Sequence, residues 1–305
     1  MNILITGGAG YKGVKLTAKL LEKGYKVTVL DNFMYGFEPF LHLVENKNLT
    51  VIRQDVRNRI ENIHQFDVIY HLAGLSGLPA CAANPSSAHL INVEATKQLA
   101  GSLNKDQLLI YASTTSFYGK SGTKCTEDTP VDPVSHYGKT KYLAEQIVME
   151  HPNSISLRFA TVFGFSPKMR MDLMVNDFTY KALSQGYLVV YEKHFMRTFI
   201  HVHDMGRAFV LALEKPDLMR GNVYNIGSNS MNFSKEKICD LIQDQTRCYV
   251  HFADVGEDAD KRNYIVSYEK INKLGYDTTI SAEGGISELV RALTAISFKT
   301  PYGNA

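Results

Sequence analysis

A glycine-rich turn directly after the first apolar run constrains this chain more than any other feature. Ile3-Leu4-Ile5 reads as a buried strand and leads into Thr6-Gly7-Gly8-Ala9-Gly10-Tyr11-Lys12-Gly13. Glycine at positions 7, 10 and 13 allows a tight turn, close approach of a pyrophosphate to the backbone, and tight packing of the next helix. That helix would direct its free N–H groups and its positive end at the phosphates. The turn therefore predicts a dinucleotide-binding βαβ unit.

The acidic residue expected for such a unit is Asp31, which ends the second apolar run at 27–30. A carboxylate here hydrogen-bonds the ribose hydroxyls of NAD and repels the additional phosphate of NADP. The alternatives are that Asp31-Asn32 only begins a turn and that Lys12 is a solvated helix residue. We predict NAD as the cofactor. The residues assigned to its binding in this region are Gly7, Gly10, Tyr11, Lys12, Gly13, Asp31 and Asn32.

Short apolar runs alternate with helical patterns through the first half of the chain. The runs occupy 3–5, 27–30, 49–52, 68–72, 108–111 and 155–159, and the helical patterns occupy 12–23, 86–103 and 137–149. Short apolar strands separated by helices are typical of a parallel sheet covered on both faces. Right-handed crossovers then give an α/β fold with a doubly wound parallel sheet of the Rossmann type.

The strict alternation fades after about residue 164. We therefore predict an NAD-binding domain over 1–165 and a smaller mixed substrate lobe over 166–305. Some segments of the second part are expected to return to the first domain. Further helices are predicted near 173–185 and from Asp204 and Ser234.

Composition and charge narrow the classes of function. The 305-residue chain has a net charge of +2, which gives no indication of nucleic acid or an anionic membrane as a partner. It contains no signal-peptide pattern and no run of 18 apolar residues, so we expect a cytoplasmic protein. The four cysteines are widely spaced, which is typical of buried free thiols. His194, His201 and His203 have no carboxylate or cysteine partners at metal-site spacing, so no metal is predicted.

Tyr137 and Lys141 lie four residues apart, which on a helix places a phenol and an ammonium on one face. A free tyrosine has a pKa near 10, and a neighbouring ammonium together with the positive nicotinamide would lower that pKa. The hydroxyl-rich segment Ser113-Thr114-Thr115-Ser116 follows the strand at 108–111, at the sheet edge where ligands bind. A hydroxyl there can hold a reacting sugar oxygen and share its proton with Tyr137. The alternatives are a surface pair and a polar loop without catalytic roles.

These motifs and their order resemble the extended short-chain dehydrogenase/reductase family, in its NAD-dependent epimerase/dehydratase branch. The resemblance covers nearly the whole chain. Its motifs are Thr-Gly-x-x-Gly-x-x-Gly at 6–13, Asp55-Val56, His71-Leu72-Ala73-Gly74, Asn92-Val93, Ser113 to Gly119, Tyr137-x-x-x-Lys141, Arg158 to Gly164, Arg197 to Asp204 and Leu274-Gly275-Tyr276. The resemblance implies removal of hydride from C4 of a nucleotide-linked sugar to bound NAD.

The resemblance also implies a role for each matching position. Thr114, Tyr137 and Lys141 match the catalytic residues of the family. Further positions assigned to the cofactor are Asp55, Val56, Leu72, Ala73, Gly74 and Asn92. Positions assigned to the nucleotide sugar are Ser76, Thr115, Asp172, Leu173, Arg197 and Arg262. Ser76 has the alternative of capping the next segment, and the two arginines that of lying on the surface. Relatives usually dimerise through two helices, here 86–103 and 137–149, so a homodimer is expected.

Two departures from the family pattern narrow the reaction. The 4,6-dehydratases of the family carry an Asp-Glu pair after the catalytic threonine, and the 3,5-epimerase types carry a cysteine two positions after it. This chain has Thr115 and Ser116 at those positions. A sugar-nucleotide 4-epimerase that acts through a transient 4-keto intermediate is therefore the leading hypothesis.

Two other functions stay open. Segments 169–178 and 256–267 resemble enzymes of bacterial surface-polysaccharide pathways, some of which are 4-dehydrogenases of GDP-heptoses. A nucleotide-sugar 4-dehydrogenase is therefore one alternative, and a non-catalytic NAD-binding protein on the same fold is another. The chain has Thr161 where galactose-type 4-epimerases usually have an asparagine that touches the nucleotide diphosphate. The base and the sugar are therefore not assigned.

Overall fold

A computed structural model describes residues 1–121, 123–258 and 260–296 of the chain. The strands are β1 (Asn2–Thr6), β2 (Lys26–Asp31), β3 (Leu49–Arg53), β4 (Val68–His71), β5 (Leu108–Thr114), β6 (Lys124–Cys125), β7 (Ser154–Phe159), β8 (Thr161–Phe163), β9 (Tyr187–Tyr191), β10 (Met196–His201), β11 (Asn222–Ile226), β12 (Asn232–Ser234), β13 (Tyr249–Ala253) and β14 (Ile265–Val266). The helices are α1 (Tyr11–Glu22), α2 (Leu78–Ala83), α3 (Pro85–His89), α4 (Ala95–Gly101), α5 (His136–Met149), α6 (Met174–Gln185), α7 (Val202–Glu214), α8 (Pro216–Met219), α9 (Lys235–Thr246), α10 (Glu269–Asn272) and α11 (Ala282–Ala295).

The centre of the molecule is a seven-stranded sheet in the order β11-β7-β5-β4-β1-β2-β3. All of its neighbouring strands pair in parallel. The chain moves outward from β1 in one direction through β2 and β3, and in the other through β4, β5 and β7. The predicted α/β fold with a doubly wound parallel sheet is therefore confirmed.

Alternate residues of the strands build a core on each face of this sheet. Ile3 and Ile5 of β1 belong to the larger core, together with Val14 of α1. Leu4, between them, belongs to the second core, together with Val148 of α5. Successive side chains of a strand point to opposite faces, so both faces need a helical layer. This explains why the strands are apolar at nearly every position.

The second half of the chain forms smaller sheets: β8, β10 and β12 in one, β9 and β13 in another, and β6 and β14 in a third. One later strand, β11, joins the large sheet instead and pairs with β7 from Asn222 with Ile155 to Ile226 with Phe159. No helix among the described residues is long and apolar enough to cross a membrane.

The helix expected at 86–103 has a more complex form. It consists of α3 and α4 with a π-helical turn, Leu90–Glu94, between them. The π turn buries Asn92 and Val93, and the carbonyl of Asn92 accepts a 2.7 Å hydrogen bond from the Thr96 hydroxyl. Single π turns within α-helices occur mostly at functional sites. Apolar periodicity does not distinguish such a turn from regular α-helix, so the sequence pattern missed it.

A buried ion pair fixes α5 against the sheet. Arg158 of β7 donates two hydrogen bonds to Oε1 of Glu145 in α5, from Nη2 at 2.6 Å and from Nε at 3.0 Å. Arg158 also donates to the Tyr118 hydroxyl at 2.9 Å, and Ser156 donates to the same carboxylate at 2.7 Å. Every oxygen of this carboxylate is thereby bonded, as a buried charge requires. Because α5 carries Tyr137 and Lys141, the pair also holds those residues in place.

Replacing Glu145 by glutamine should destabilise the protein by about 3 kcal/mol, because the guanidinium of Arg158 would stay buried without its counter-charge. The matched control is Glu269→Gln, which breaks the exposed pair of Lys124 and Glu269 and should cost less than about 0.5 kcal/mol. Urea unfolding of both variants gives the two free energies. Similar losses for the two variants would show that the buried pair has no special role.

Candidate active site

A large cavity opens at the carboxyl ends of the central strands, between the ends of β1 and β4. At this point the order in which the strands are added to the sheet reverses. Ligands of open parallel sheets bind at this point. Most of the predicted site residues line it. They are Gly7, Gly10, Tyr11, Lys12, Gly13, Asp31, Asn32, Asp55, Val56, Leu72, Ala73, Gly74, Ser76, Thr114, Tyr137, Lys141, Leu173 and Arg262.

The glycine turn forms one wall of the cavity and leaves no room for side chains on its inner side. A Cβ atom on Gly7 would lie 2.6 Å from the nitrogen of Ala73, and Gly7 has a φ of +73°. A Cβ atom on Gly13 would lie 2.3 Å from the carbonyl oxygen of Gly7. The turn can therefore pack tightly against the end of β4 and against α1. The N-terminus of α1, at Tyr11, faces the cavity and fits the pyrophosphate of a dinucleotide.

Asp31 lines the cavity and also stabilises the glycine turn. Its carboxylate accepts hydrogen bonds from the backbone N–H of Ala9 at 3.0 Å and of Phe33 at 2.9 Å, so it also braces the glycine turn. Burial raises the pKa of Asp31. Farther along, Asp55 forms an ion pair with Arg57, which lowers the pKa of Asp55 to about 2. Both carboxylates line the region expected for the adenosine half of the cofactor.

Tyr137 lies at the other end of the cavity, in the first turn of α5. The hydroxyls of Ser76 and Thr114 lie close to its phenol. Burial raises the pKa of Tyr137, and these hydroxyls and the charge of Arg170 oppose that rise only in part. From the sequence, the charges of Lys141 and of the nicotinamide are expected to lower this pKa, and in the protein itself burial has the larger effect. Of those two charges, the one on the oxidised nicotinamide ring is supplied only by the bound cofactor.

Lys141 is buried one turn along the same helix. Its ammonium lies 4.1 Å from the centre of the Tyr111 ring. Burial lowers the pKa of Lys141 to about 7, and the charge of Lys12 lowers it further in the same direction. Cations placed over the face of an aromatic ring are attracted to it, which offsets part of the lost hydration. Lys141 can thus be held in the cavity without a carboxylate partner.

Thr114 is positioned by the turn that follows β5. Its hydroxyl donates to the Ser116 hydroxyl at 2.9 Å, and the N–H of Ser116 donates back to Thr114 at 3.1 Å. Arg262 also donates to the Ser116 hydroxyl. Ser116 lines the cavity, although the sequence assigned it no role in binding. It connects the predicted catalytic threonine to a cation that comes from more than 100 residues later in the chain.

Three residues assigned to the nucleotide sugar lie outside the cavity wall, which corrects the sequence-based assignments. Thr115 is buried and its hydroxyl donates to the carbonyl of Phe159 at 3.3 Å. Arg197 is also buried, and its guanidinium binds the carbonyl oxygens of Asp260 and Arg262. It therefore holds the segment that carries Arg262. The carboxylate of Asp172 forms an ion pair with a neighbouring arginine.

That neighbour is Arg170, which the sequence reasoning missed. Its guanidinium contacts Asp172 at 2.7 and 2.5 Å and donates to the carbonyl of Ser76 at 3.3 Å, while the side chain lines the cavity. Asp172 raises the pKa of Arg170 although burial opposes it. The signal available in the sequence was the Arg-x-Asp spacing just before α6. This arginine places a second guanidinium near Tyr137.

Asn92 supports the cavity from behind instead of lining it. Its side-chain oxygen accepts from the N–H of Leu75 at 2.8 Å, and its side-chain nitrogen donates to the carbonyl of Leu75 at 3.0 Å and to Thr140 at 3.0 Å. Leu75 directly follows Gly74, so Asn92 fixes the loop after β4 and ties it to α5. Within the described residues, no group of three or more His, Cys, Asp or Glu side chains is arranged to hold a metal ion.

Comparisons with known proteins agree with this geometry. The NAD dependent epimerase/dehydratase family matches residues 3–227. A Bacillus subtilis protein described as an uncharacterized UDP-glucose epimerase, YtcB, is 30% identical, with 97% of this chain and 99% of that protein covered. The CDP-paratose 2-epimerase of Salmonella typhi is 26% identical, with 95% and 98% covered. The crystal structure of UDP-glucuronic acid 4-epimerase from Bacillus cereus with UDP-glucuronic acid and NAD has a TM-score of 0.87 and 25% identity, covering 97% and 99%.

Replacing Lys141 by methionine should stabilise the cofactor-free protein by about 4 kcal/mol at pH 6.5. The pKa of Lys141 is about 7 in the folded protein and near 10.4 in an unfolded chain, so the unfolded state binds more protons between these values. The free energy of unfolding of the unchanged protein therefore contains a penalty below pH 7 that fades as the pH rises towards 10.

Denaturant unfolding at a series of pH values measures this difference. The control is Lys139→Met, which removes an exposed lysine of the same helix and should change stability little at any pH. A Lys141→Met variant whose stability gain does not shrink with rising pH would contradict the burial of a charged ammonium.

Proposed function

The chain belongs to the NAD-dependent epimerase/dehydratase family, and within it we propose that the protein is a nucleotide-sugar 4-epimerase. It is an enzyme of sugar-nucleotide chemistry, and NAD is its cofactor. The observation that carries the proposal is the grouping of Tyr137, Thr114 and Lys141 at one end of the NAD cavity. This grouping can remove a proton from a sugar hydroxyl beside a hydride acceptor.

In the proposed reaction Tyr137 is the base. Its phenolate accepts the proton of the C4 hydroxyl while the hydride on C4 leaves, which turns the alcohol into a ketone. NAD, held by the glycine turn and the residues around it, would supply the acceptor for this hydride and its donor on the return. Tyr137 then gives the proton back to the oxygen. If the ketone has turned its other face to the cofactor in between, the product is the C4 epimer and the enzyme returns to its starting state.

Thr114 is proposed to hold the reacting oxygen together with Tyr137. The hydrogen of its hydroxyl is directed to Ser116, and turning this hydrogen towards the sugar would let Thr114 donate to the reacting oxygen while the phenolate of Tyr137 accepts the proton. Ser116 accepts from Arg262, which is anchored by a 2.7 Å contact to Asp260. These contacts hold the side chain of Thr114 in place, and a fixed donor favours one position of the sugar.

The residues around Thr114 favour a reaction confined to oxidation and reduction. Elimination of water would need a carboxylate pair after Thr114, and this chain has Thr115 and Ser116 instead. The hydroxyl of Thr115 also points away, to the carbonyl of Phe159. Position 116 is a serine, where the 3,5-epimerase types of the family have a cysteine. This supports an epimerase over a dehydratase.

The diphosphate of the substrate is proposed to lie between Arg262 and the start of α6. Leu173 is the N-cap of α6 and lines the cavity with Arg262, so free N–H groups and a guanidinium face the same space. Both are good partners for phosphate oxygens. Arg197 is proposed to act indirectly, by holding the backbone on either side of Arg262.

Product analysis tests the proposal directly. The purified protein with bound NAD should convert one of a panel of UDP-, CDP- and GDP-linked sugars into its C4 epimer, followed by proton NMR, with no net rise in absorbance at 340 nm. The Tyr137→Phe variant should keep NAD and lose turnover about a thousandfold. NADH that accumulates in step with a keto product would instead identify a 4-dehydrogenase, and silence with every sugar would identify a non-catalytic protein.

A pair of threonine variants tests the position of the reacting oxygen. Thr114→Val should lower kcat about a hundredfold, because the reacting hydroxyl loses one of its two partners. Thr115→Val is the matched control, since Thr115 faces the core, and its kcat should stay within about threefold of the unchanged protein. Equal losses in the two variants would contradict the role given to Thr114.

A further inference from the structure

Lys12 is a cation in an unusual place. It is the second residue of α1, directly after the glycine turn, where helix residues commonly point to solvent. Here the side chain runs inward along the cavity wall, and its ammonium lies 5.1 Å from the centre of the Phe159 ring at the end of β7. Phe159 precedes Ala160 and Thr161, which line the same cavity. Lys12 therefore reaches from the phosphate turn towards the catalytic end.

No anion within the described part of the chain balances this charge. The ammonium of Lys12 forms no ion pair or hydrogen bond there, and the charges that interact with it, those of Arg170 and Lys141, are both positive. Burial, with the repulsion from Arg170, lowers the pKa of Lys12 to about 8. At neutral pH the group still carries most of its charge. A buried cation without a counter-ion strongly favours any change that adds negative charge, or removes positive charge, nearby.

Lys12 also lies within electrostatic reach of the proposed catalytic lysine. Its charge is the largest influence after burial on the pKa of Lys141. Lys141 lies in the same cavity wall as Tyr137, and the ring that accepts hydride from a sugar bound at Tyr137 must lie in this part of the cavity. Lys12, Lys141 and Arg170 thus surround the proposed hydride-transfer region with positive charge, and of the three only Arg170 has a carboxylate partner among the residues that the structure describes.

We propose that Lys12 is a redox-tuning residue, whose buried and unpaired ammonium favours the reduced form of the bound nicotinamide over the oxidised form. The oxidised ring carries one positive charge, and addition of a hydride, two electrons and a proton, makes it neutral. A nearby fixed cation repels the oxidised ring only. The effect drives hydride from the sugar onto the cofactor and prolongs the lifetime of the ketone, during which the sugar can turn.

This role can be separated from simple binding of the cofactor phosphates. The diphosphate is identical in the oxidised and reduced cofactor, so a contact with it strengthens the binding of both forms equally. A charge that acts on the ring changes the ratio of the two forms instead. The inference rests on the proposed function only for the location of the ring, and the ratio can be measured without any sugar.

The test is the midpoint potential of the bound cofactor, followed at 340 nm while the NAD-loaded protein equilibrates with a mediator couple of known potential. Lys12→Met should shift the ratio of reduced to oxidised cofactor about tenfold towards the oxidised form, as loss of one charge across roughly 10 Å of protein predicts. Tenfold corresponds to a potential about 30 mV lower. Lys12→Arg keeps the charge and should keep the potential, and Lys12→Gln repeats the test if the methionine variant folds poorly.

Lys168→Met is the matched control. Lys168 lines the same cavity, but its ammonium lies 5.2 Å from the centre of the Tyr35 ring, and the charges that act on it are those of Arg170 and Glu38, so its loss should leave the potential unchanged. An unchanged potential in both charge-removing variants of Lys12 would overturn the proposal, as would an equal shift in the Lys168 variant. Because no sugar is present, these outcomes do not depend on whether the enzyme proves to be a 4-epimerase.

Discussion

The structure depends on the contact between the glycine turn after β1 and the loop after β4. A side chain on Gly7 would collide with the backbone of Ala73, so these two segments can meet only through bare backbone. Asp31 braces the turn from one side through Ala9, and Asn92 fixes the loop from the other through Leu75. The wall proposed to bind the phosphates and the wall beside Tyr137 are therefore joined by this packing, which would set the distance between the cofactor and the proposed base.

Local sequence patterns predicted most of this site because they are local in the structure as well. The glycine turn, the acid at the end of β2, and the pair of Tyr137 and Lys141 each depend on one strand, turn or helix. Arg170, Ser116 and the indirect position of Arg197 could not be found in this way. The place of Ser116 in the site depends on its hydrogen bond with Arg262, which is 146 residues away in the sequence. That contact exists only after two distant loops have folded together.

The charged residues in and around the site fall into two groups, one that stabilises the fold and one that faces the cavity. The charges of Arg158 and Glu145 neutralise each other, so this buried pair holds α5 in place and has little electrostatic effect on other groups. Lys12 and Lys141 have no such partner within residues 1–121, 123–258 and 260–296, and the pKa values of both fall on burial. Sequence reasoning expected the charges of Lys141 and of the nicotinamide to lower the pKa of Tyr137. It missed that burial opposes this influence, because burial depends on the whole fold and not on residue spacing.

The pairing of β11 with β7 has a consequence for how this architecture can change. The chain leaves the large sheet after β7, forms β8, β9 and β10, returns to add β11 at the edge, and then completes the small sheets with β12, β13 and β14. The small sheets are thus interleaved with the large sheet along the chain, and cutting the chain once cannot separate the two. A single crossover after β7 between related genes would exchange β11 together with the small sheets, so exchange of the small sheets alone requires breakpoints on both sides of β11. Diversification by point substitution and loop exchange is the easier route in such a topology.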